Sequence, residues 1–174
     1  DIENMNVVII GLGRMGSGMG ERLVRHGHRV AGFDLDAGKR SAVESIGITW
    51  LSSIEDIAAT VPSPRVVIIM VPAGNAVDSA VEALLPVLTS GDVIIDGGNS
   101  FYKDSISRAE MVRSKGFDFL DVGVSGGVWG LDQGYCLMAG GNKDAYERVE
   151  PVLSALAAEG GLLYVGQPGA GHYA

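Results

Sequence analysis

Short apolar runs rich in β-branched residues alternate with stretches of helical periodicity along the chain. Asn6 to Ile10 reads as a buried strand. Met15, Met19 and Leu23 then recur at helical spacing and predict a helix from Met15 to His26, with Gly27 where a helix-terminating glycine belongs. Arg29 to Phe33 follows as a second strand, Thr49 to Leu51 as a short third, and Ile54 to Ala59 as a helix. Pro62 and Pro64 interrupt the chain before a fourth strand, Val66 to Val71. Helices at Val77 to Leu88 and Lys103 to Lys115 enclose a fifth strand, Val93 to Asp96, and Phe119 to Val124 is the sixth. Further strands at Tyr135 to Ala139 and Leu162 to Val165 flank a helical stretch from Lys143 to Ala158, which Pro151 is expected to split in two. His26 and His28 bracket the end of the first helix and read as solvated.

Alternating strands and helices, with strands that are apolar throughout, predict a parallel sheet covered on both faces. The fold class is therefore α/β: a Rossmann-type, doubly wound, mainly parallel sheet. The 174 residues suit one domain spanning 1–174. A hydrophobic content of 47% against 20% charged residues excludes a disordered chain. The net charge of −8 argues against nucleic acid as a partner, though a local pocket for a phosphorylated small molecule remains open. Cys136 is the only cysteine, so no intrachain disulfide can form, and a cytoplasmic location is expected. No Cys/His cluster suggests a metal, and no apolar run is long enough to span a membrane. Asp1 to Met5 lacks the basic start of a signal peptide, and Met5 is a candidate natural start.

Candidate chemistry begins at Gly11-Leu12-Gly13-Arg14-Met15-Gly16. A GxGxxG spacing alone is weak, but this one leaves an apolar strand and opens an amphipathic helix. Gly11 permits the tight turn, Gly13 lets backbone approach a pyrophosphate, and Gly16 lets helix and strand pack closely. The helix start supplies free N–H groups and the positive dipole end, and Arg14 could add charge. Asp34 is the independent second signal, 23 positions after Gly11 and at the end of the second strand. A carboxylate there can accept from both adenosine ribose hydroxyls and repels a 2′-phosphate, which favours NAD over NADP. The plainer readings are a structural glycine turn and a solvated turn carboxylate.

Three more segments follow strand ends: Val71-Pro72-Ala73-Gly74, Asp96-Gly97-Gly98-Asn99-Ser100, and Asp121 through Ser125, Gly126 and Gly127. Ligands of open α/β sheets bind beyond the carboxyl ends of strands, so all three belong on the edge that carries the phosphate loop. Asn99 and Ser125 then bring an amide and a hydroxyl to the nicotinamide end, or else merely close turns.

In this order, GLGRMG, MVPAG, DGGNSFYKD, DVGVSGGVWGL and GYCLMAGG resemble the 6-phosphogluconate dehydrogenase family, in particular its shorter, often NAD-preferring bacterial branch. The resemblance implies that residues 11–16, Asp34, and Val71, Pro72 and Ala73 contact NAD. It implies that Asn99 lies between nicotinamide and substrate, and that Ser125, Gly126 and Gly127 hold a phosphorylated sugar acid. Asp34-Leu35-Asp36 replaces the Asn-Arg-Thr of the long NADP-using branch, and Pro72 replaces its Lys; both differences point to NAD. Gly169 to Ala174 resembles the start of the family's GxGHxVKMxHN stretch, so the general-base Lys is expected just after Ala174 and the helical second domain beyond it. His172 reads as a structural residue at an unanchored chain end. The implied full-length enzyme is a homo-oligomer that oxidatively decarboxylates 6-phosphogluconate to ribulose 5-phosphate. A 3-hydroxyisobutyrate-type dehydrogenase and a non-catalytic NAD-binding module are the alternatives.

Overall fold

The computed structural model describes residues 3–174. Eight strands form one sheet: β1 (Asn6–Ile10), β2 (Arg29–Phe33), β3 (Thr49–Trp50), β4 (Arg65–Ile69), β5 (Val93–Asp96), β6 (Asp118–Ser125), β7 (Tyr135–Gly141) and β8 (Ala157–Gly166). Their order is β3-β2-β1-β4-β5-β6-β7-β8. All pairs from β3 through β6 are parallel. β7 is antiparallel to β6, and β8 is parallel to β7, so the last two strands run against the rest. The helices are α1 (Arg14–Arg25), α2 (Arg40–Ser45), α3 (Ile57–Thr60), α4 (Asn75–Leu84), α5 (Tyr102–Ser114), α6 (Gly130–Gln133), α7 (Lys143–Leu156) and α8 (Ala170–Tyr173).

Alternation along the strands divides the core between the two faces. Val7, Ile9, Ile68 and Ile95 pack with Met19 and Leu23 of α1 and with Val149, Val152 and Leu153 of α7. Val8, Ile10, Val67, Ile69 and Ile94 pack with Val77, Val81 and Leu84 of α4 and with Ala109 and Val112 of α5. Apolar residues on both faces of β1, β4 and β5 are thus satisfied, which is why these strands carry no polar alternation.

Three expectations are corrected. Pro151 does not split its helix, since α7 runs unbroken from Lys143 to Leu156. A mid-helix proline costs about 3 kcal/mol. Burial of Val149, Val152 and Leu153 offsets that, at about 1.5–3 kcal/mol per side chain. The helix also stops at Leu156, so β8 begins five residues earlier than its apolar run suggests. Next, β4 starts at Arg65 rather than Val66. A buried arginine fits there because its Nη1 donates to Asp92 Oδ2 at 2.8 Å and its Nε to the Val61 carbonyl at 2.6 Å. Burial pushes the Asp92 carboxyl up, but the N–H donors of Thr89 and Arg65 and the Arg65 guanidinium outweigh it and hold it below its ordinary value.

The third correction concerns His28, which is 4% exposed rather than solvated, whereas His26 is exposed. His28 Nδ1 accepts the Met5 N–H at 3.0 Å and so ties the residue before β1 to the start of β2. Burial lowers the imidazole pKa and outweighs the opposing pull of the Pro151 backbone, and the charges of His26 and Arg29 add to the lowering. A base depressed in the folded state is protonated first in the unfolded chain, so its contribution is full above about pH 6.5 and is lost as pH falls below that value. Wild type is therefore expected to lose unfolding midpoint between pH 7.5 and 5.5 more steeply than His28→Asn, whose side-chain oxygen can still accept from Met5. Equal slopes in urea titrations of the two proteins would rule His28 out as the source.

Candidate functional site

Chain direction reverses between β1 and β4: from β1 the chain winds out to β2 and β3, then returns to β4 and winds the other way. Loops leaving β1 and β4 therefore diverge and open a crevice at the carboxyl ends of these strands. Gly11 leaves β1 with φ +98°, and a β-carbon there would sit 2.5 Å from the Met70 carbonyl oxygen. A β-carbon on Gly16 would collide with the Gly11 carbonyl oxygen, so α1 can pack this close only with glycine. Gly13 is different, having nothing within 4 Å of its β-carbon position. It is the N-terminal cap of α1, makes no side-chain capping bond, and is followed by no acidic residue in the first turn. The open N–H groups of that turn suit an anion.

Asp34 stands just past β2 and faces the same loop. Its Oδ2 accepts the Leu12 N–H at 2.8 Å, and its Oδ1 accepts the Asp36 N–H at 2.8 Å. Lys39 Nζ lies 3.2 Å from Oδ2. Burial pushes this carboxyl up, but the two backbone donors and the lysine outweigh it, and its pKa lies below the ordinary carboxylate value. Asp34 is ionised at neutral pH and holds the glycine loop to the end of β2.

Gly11, Gly13, Asp34, Leu35, Val71 and Pro72 line one cavity of about 490 Å³, with Lys39, Ala76 and Ser79 among its other walls. Leu12 and Gly16 are buried behind the loop, Arg14 is exposed at the start of α1 and Met15 is half-buried, and none of these four lines the cavity. Ala73 is exposed and also lies outside it. Leu35 is 94% exposed, an apolar side chain standing free at the cavity mouth.

Asn99 and Ser125 line a second cavity on the same edge, of about 280 Å³, with Ser100, Gly123, Met138, His172 and Ala174. The loop bearing Asn99 wraps around Asp96, whose carboxylate accepts the Gly98 N–H at 3.0 Å and the Ser100 hydroxyl at 2.5 Å. Gly126 and Gly127 stand at the start of a helical turn after Ser125 and do not line this cavity. The amide and hydroxyl of Asn99 and Ser125 can each donate and accept hydrogen bonds, and neither is a useful base at neutral pH. No lysine is among the residues lining this cavity.

His172 is anchored, contrary to expectation. Asp121 is fully buried, and its carboxylate accepts the N–H groups of Gly169 at 2.8 Å and His172 at 2.9 Å. The Ser105 hydroxyl lies 2.6 Å from His172 Nδ1. α8 sits so close to β6 and β7 that a β-carbon on Gly171 would lie 2.6 Å from the Met138 carbonyl oxygen. Reading the sequence assigned no role to Asp96 or Asp121. The available signal was a carboxylate inside an apolar strand, which needs nearby donors if buried. Leu35 had a signal too, an apolar residue directly after the strand-end carboxylate.

This fold and strand-end edge define a dinucleotide-binding domain of the Rossmann class. The chain belongs to the family described as the NAD binding domain of 6-phosphogluconate dehydrogenase, whose family model matches residues 6–166. It is 39% identical over 170 residues to the NAD(+)-dependent, decarboxylating 6-phosphogluconate dehydrogenase of Haloferax volcanii, covering 97% of this chain and 56% of that protein. Among solved structures, it is similar to 3-hydroxyisobutyrate dehydrogenase of Mycobacterium tuberculosis, with a TM-score of 0.90 and 30% identity, covering 98% of this chain and 57% of that one. It is also similar to 6-phosphogluconate dehydrogenase of Plasmodium falciparum, solved with NADP+, with a TM-score of 0.88 and 29% identity over 97% of this chain and 38% of that one. The chain thus spans about two-fifths to three-fifths of the length of these proteins. No helix among the described residues is long and apolar enough to cross a membrane.

Asp121 provides a test of how the site is held. Asp121→Ala leaves two N–H groups without their acceptor and is expected to lower stability by about 2–3 kcal/mol in urea unfolding. Hydrogen exchange at Gly169 and His172 should rise well above that of the β4 amides. Unchanged protection at those two amides would show that α8 is held by packing alone.

Proposed function

We propose that residues 11–16, Asp34, and Val71, Pro72 and Ala73 hold NAD, and that Asn99 with Ser125, Gly126 and Gly127 orients 6-phosphogluconate. The 174 residues are then the cofactor-binding domain of a longer, homo-oligomeric cytoplasmic enzyme that forms ribulose 5-phosphate and CO2. The observation that carries the reading is the adjacency of two cavities on one sheet edge. One has the glycine loop and an ionised Asp34, and the other has Asn99 and Ser125. The first fits a dinucleotide on its own geometry, because the empty space beside Gly13 is where a β-carbon would point and a pyrophosphate would lie. Bound NAD supplies a hydride acceptor for C3 of the sugar acid. Asn99 and Ser125 fix the substrate hydroxyls relative to that acceptor, and holding reactants in register is a large share of such catalysis. The proton of the C3 hydroxyl needs a stronger base than either, and by resemblance a lysine following Ala174 in the longer protein supplies it.

Likeness to the M. tuberculosis enzyme favours a second reading, a dehydrogenase for a small unphosphorylated β-hydroxy acid. A substrate panel on the full-length protein separates the two.

Cofactor binding is tested by calorimetry. NAD is expected to bind more tightly than NADP, because the ionised Asp34 repels a 2′-phosphate, and Asp34→Ala should narrow the gap. Gly13→Val should fold normally, since nothing lies within 4 Å of the new β-carbon, yet lose dinucleotide binding. Normal binding by a folded Gly13→Val protein would place the pyrophosphate elsewhere.

Mixed with NAD and 6-phosphogluconate, the 174-residue chain is expected to bind cofactor without sustained formation of reduced cofactor. Turnover at about 1 per second or faster would mean that a base within these residues suffices, and His172 would be the first to replace.

A further inference from the structure

Asp34 is not a free carboxylate. Its two oxygens offer about four lone-pair directions. Three are in use, by the N–H of Leu12, the N–H of Asp36 and the ammonium of Lys39. A ribose diol asks for two. The first two donors belong to the backbone of the phosphate loop and of the turn after β2, and cannot leave without unmaking those turns. Lys39 can leave: it ends a 3-10 turn, Ala37–Lys39, on a flexible stem, and its side chain is 37% exposed against 13% for Asp34. The turn is itself set by Asp36, whose Oδ1 accepts the Gly38 N–H at 2.9 Å, so the lysine is delivered to the cavity by local structure. The next cation along, Arg40, is directed away, its Nε 2.9 Å from Glu44. Lys39 and Asp34 line the same cavity wall.

We propose that Lys39 determines dinucleotide specificity, as a movable counter-ion that competes with the ribose hydroxyls for Asp34 and turns to a 2′-phosphate when one is present. The inference rests on the cofactor reading above. Its physical content is a pair of effects of opposite sign. For NAD, the ion pair must open before Asp34 can accept both hydroxyls, so Lys39 weakens binding. For NADP, the ammonium offsets the charge of Asp34 and donates directly to the phosphate, so Lys39 strengthens binding. Discrimination by Asp34 alone is thereby softened, and the site accepts both dinucleotides with a preference for NAD. Because the pair is partly exposed, salt screens it, and the effect is largest at low ionic strength.

The test uses the 174-residue chain, with NADH and NADPH binding followed by cofactor fluorescence at low ionic strength. Lys39→Met keeps the stem and removes the charge, and unfolding midpoints check that the variant is folded. The expected result is NADPH binding weakened about tenfold, the scale of one charge-assisted hydrogen bond, with NADH binding tightened; unchanged NADH binding would overturn the competition with the ribose hydroxyls. Lys39→Arg should restore NADPH binding. Equal weakening of both cofactors, or no change in either, overturns the role given to Lys39 while leaving the cofactor reading intact. Failure of the wild-type chain to bind either cofactor overturns that reading, and the inference with it.

Discussion

Backbone N–H groups captured by buried or half-buried carboxylates hold this site in shape. Asp34 takes the N–H groups of Leu12 and Asp36, Asp96 takes that of Gly98, and Asp121 takes those of Gly169 and His172. Each bond crosses from a strand, or the residue just past it, to a segment with no regular partner of its own. Such segments would otherwise leave donors unsatisfied as the chain leaves the sheet. A charged acceptor makes these bonds stronger than neutral ones, and in Asp34 the donors overcome the effect of burial on the carboxyl. Loops at the sheet edge thereby become fixed walls of two cavities.

Position follows from topology. The sheet is covered on both faces, so a ligand can enter only at its edges, and the β1/β4 reversal parts the loops at one of them. Asp96 and Asp121 are paired neighbours across β5 and β6. That register carries the Asn99 loop and the α8 turn to the same place, and Ser125 joins them from the far end of β6. Glycine at Gly11, Gly16 and Gly171 lets these pieces approach more closely than any side chain would allow.

The two cavities differ in chemistry in a way that suits a division of labour. Around the first there are two charged side chains, Asp34 and Lys39, an open helix start, and an exposed apolar Leu35. The second is walled by amide, hydroxyl and imidazole groups. A dinucleotide presents charge and an apolar base to recognise, whereas a polyol acid presents hydroxyls to align. The Asp34–Lys39 pair makes the first cavity less one-sided in charge than its glycine motif implies.

Sequence alone determined the strand–helix alternation through β6 and marked the glycine loop after β1 as a candidate phosphate site. Strands without polar alternation fit a sheet buried on both faces, and Gly11, Gly13 and Gly16 have the spacing of a turn, an open approach and a close helix–strand contact. Strand ends therefore marked the edge where Asp34, Asn99 and Ser125 would meet, and the structure brings Asn99 and Ser125 to a single cavity. Tertiary structure alone decided which polar residues are anchors. His28 looks like a surface group in one dimension, and nothing in the sequence identifies the partners that anchor His28, Arg65 and Asp121, namely the Met5 N–H, the Asp92 carboxylate and the α8 turn. Pro151 was misjudged for the same reason: helix propensity is local, while the packing of Val149, Val152 and Leu153 that overrides it comes from strands distant in the chain. The ion pair between Asp34 and Lys39 spans only five residues, yet it too escaped the periodic pattern. A single 3-10 turn, set by the Asp36 side chain, aims the lysine back at the strand end, and that conformation leaves no mark in the hydrophobic order of the sequence.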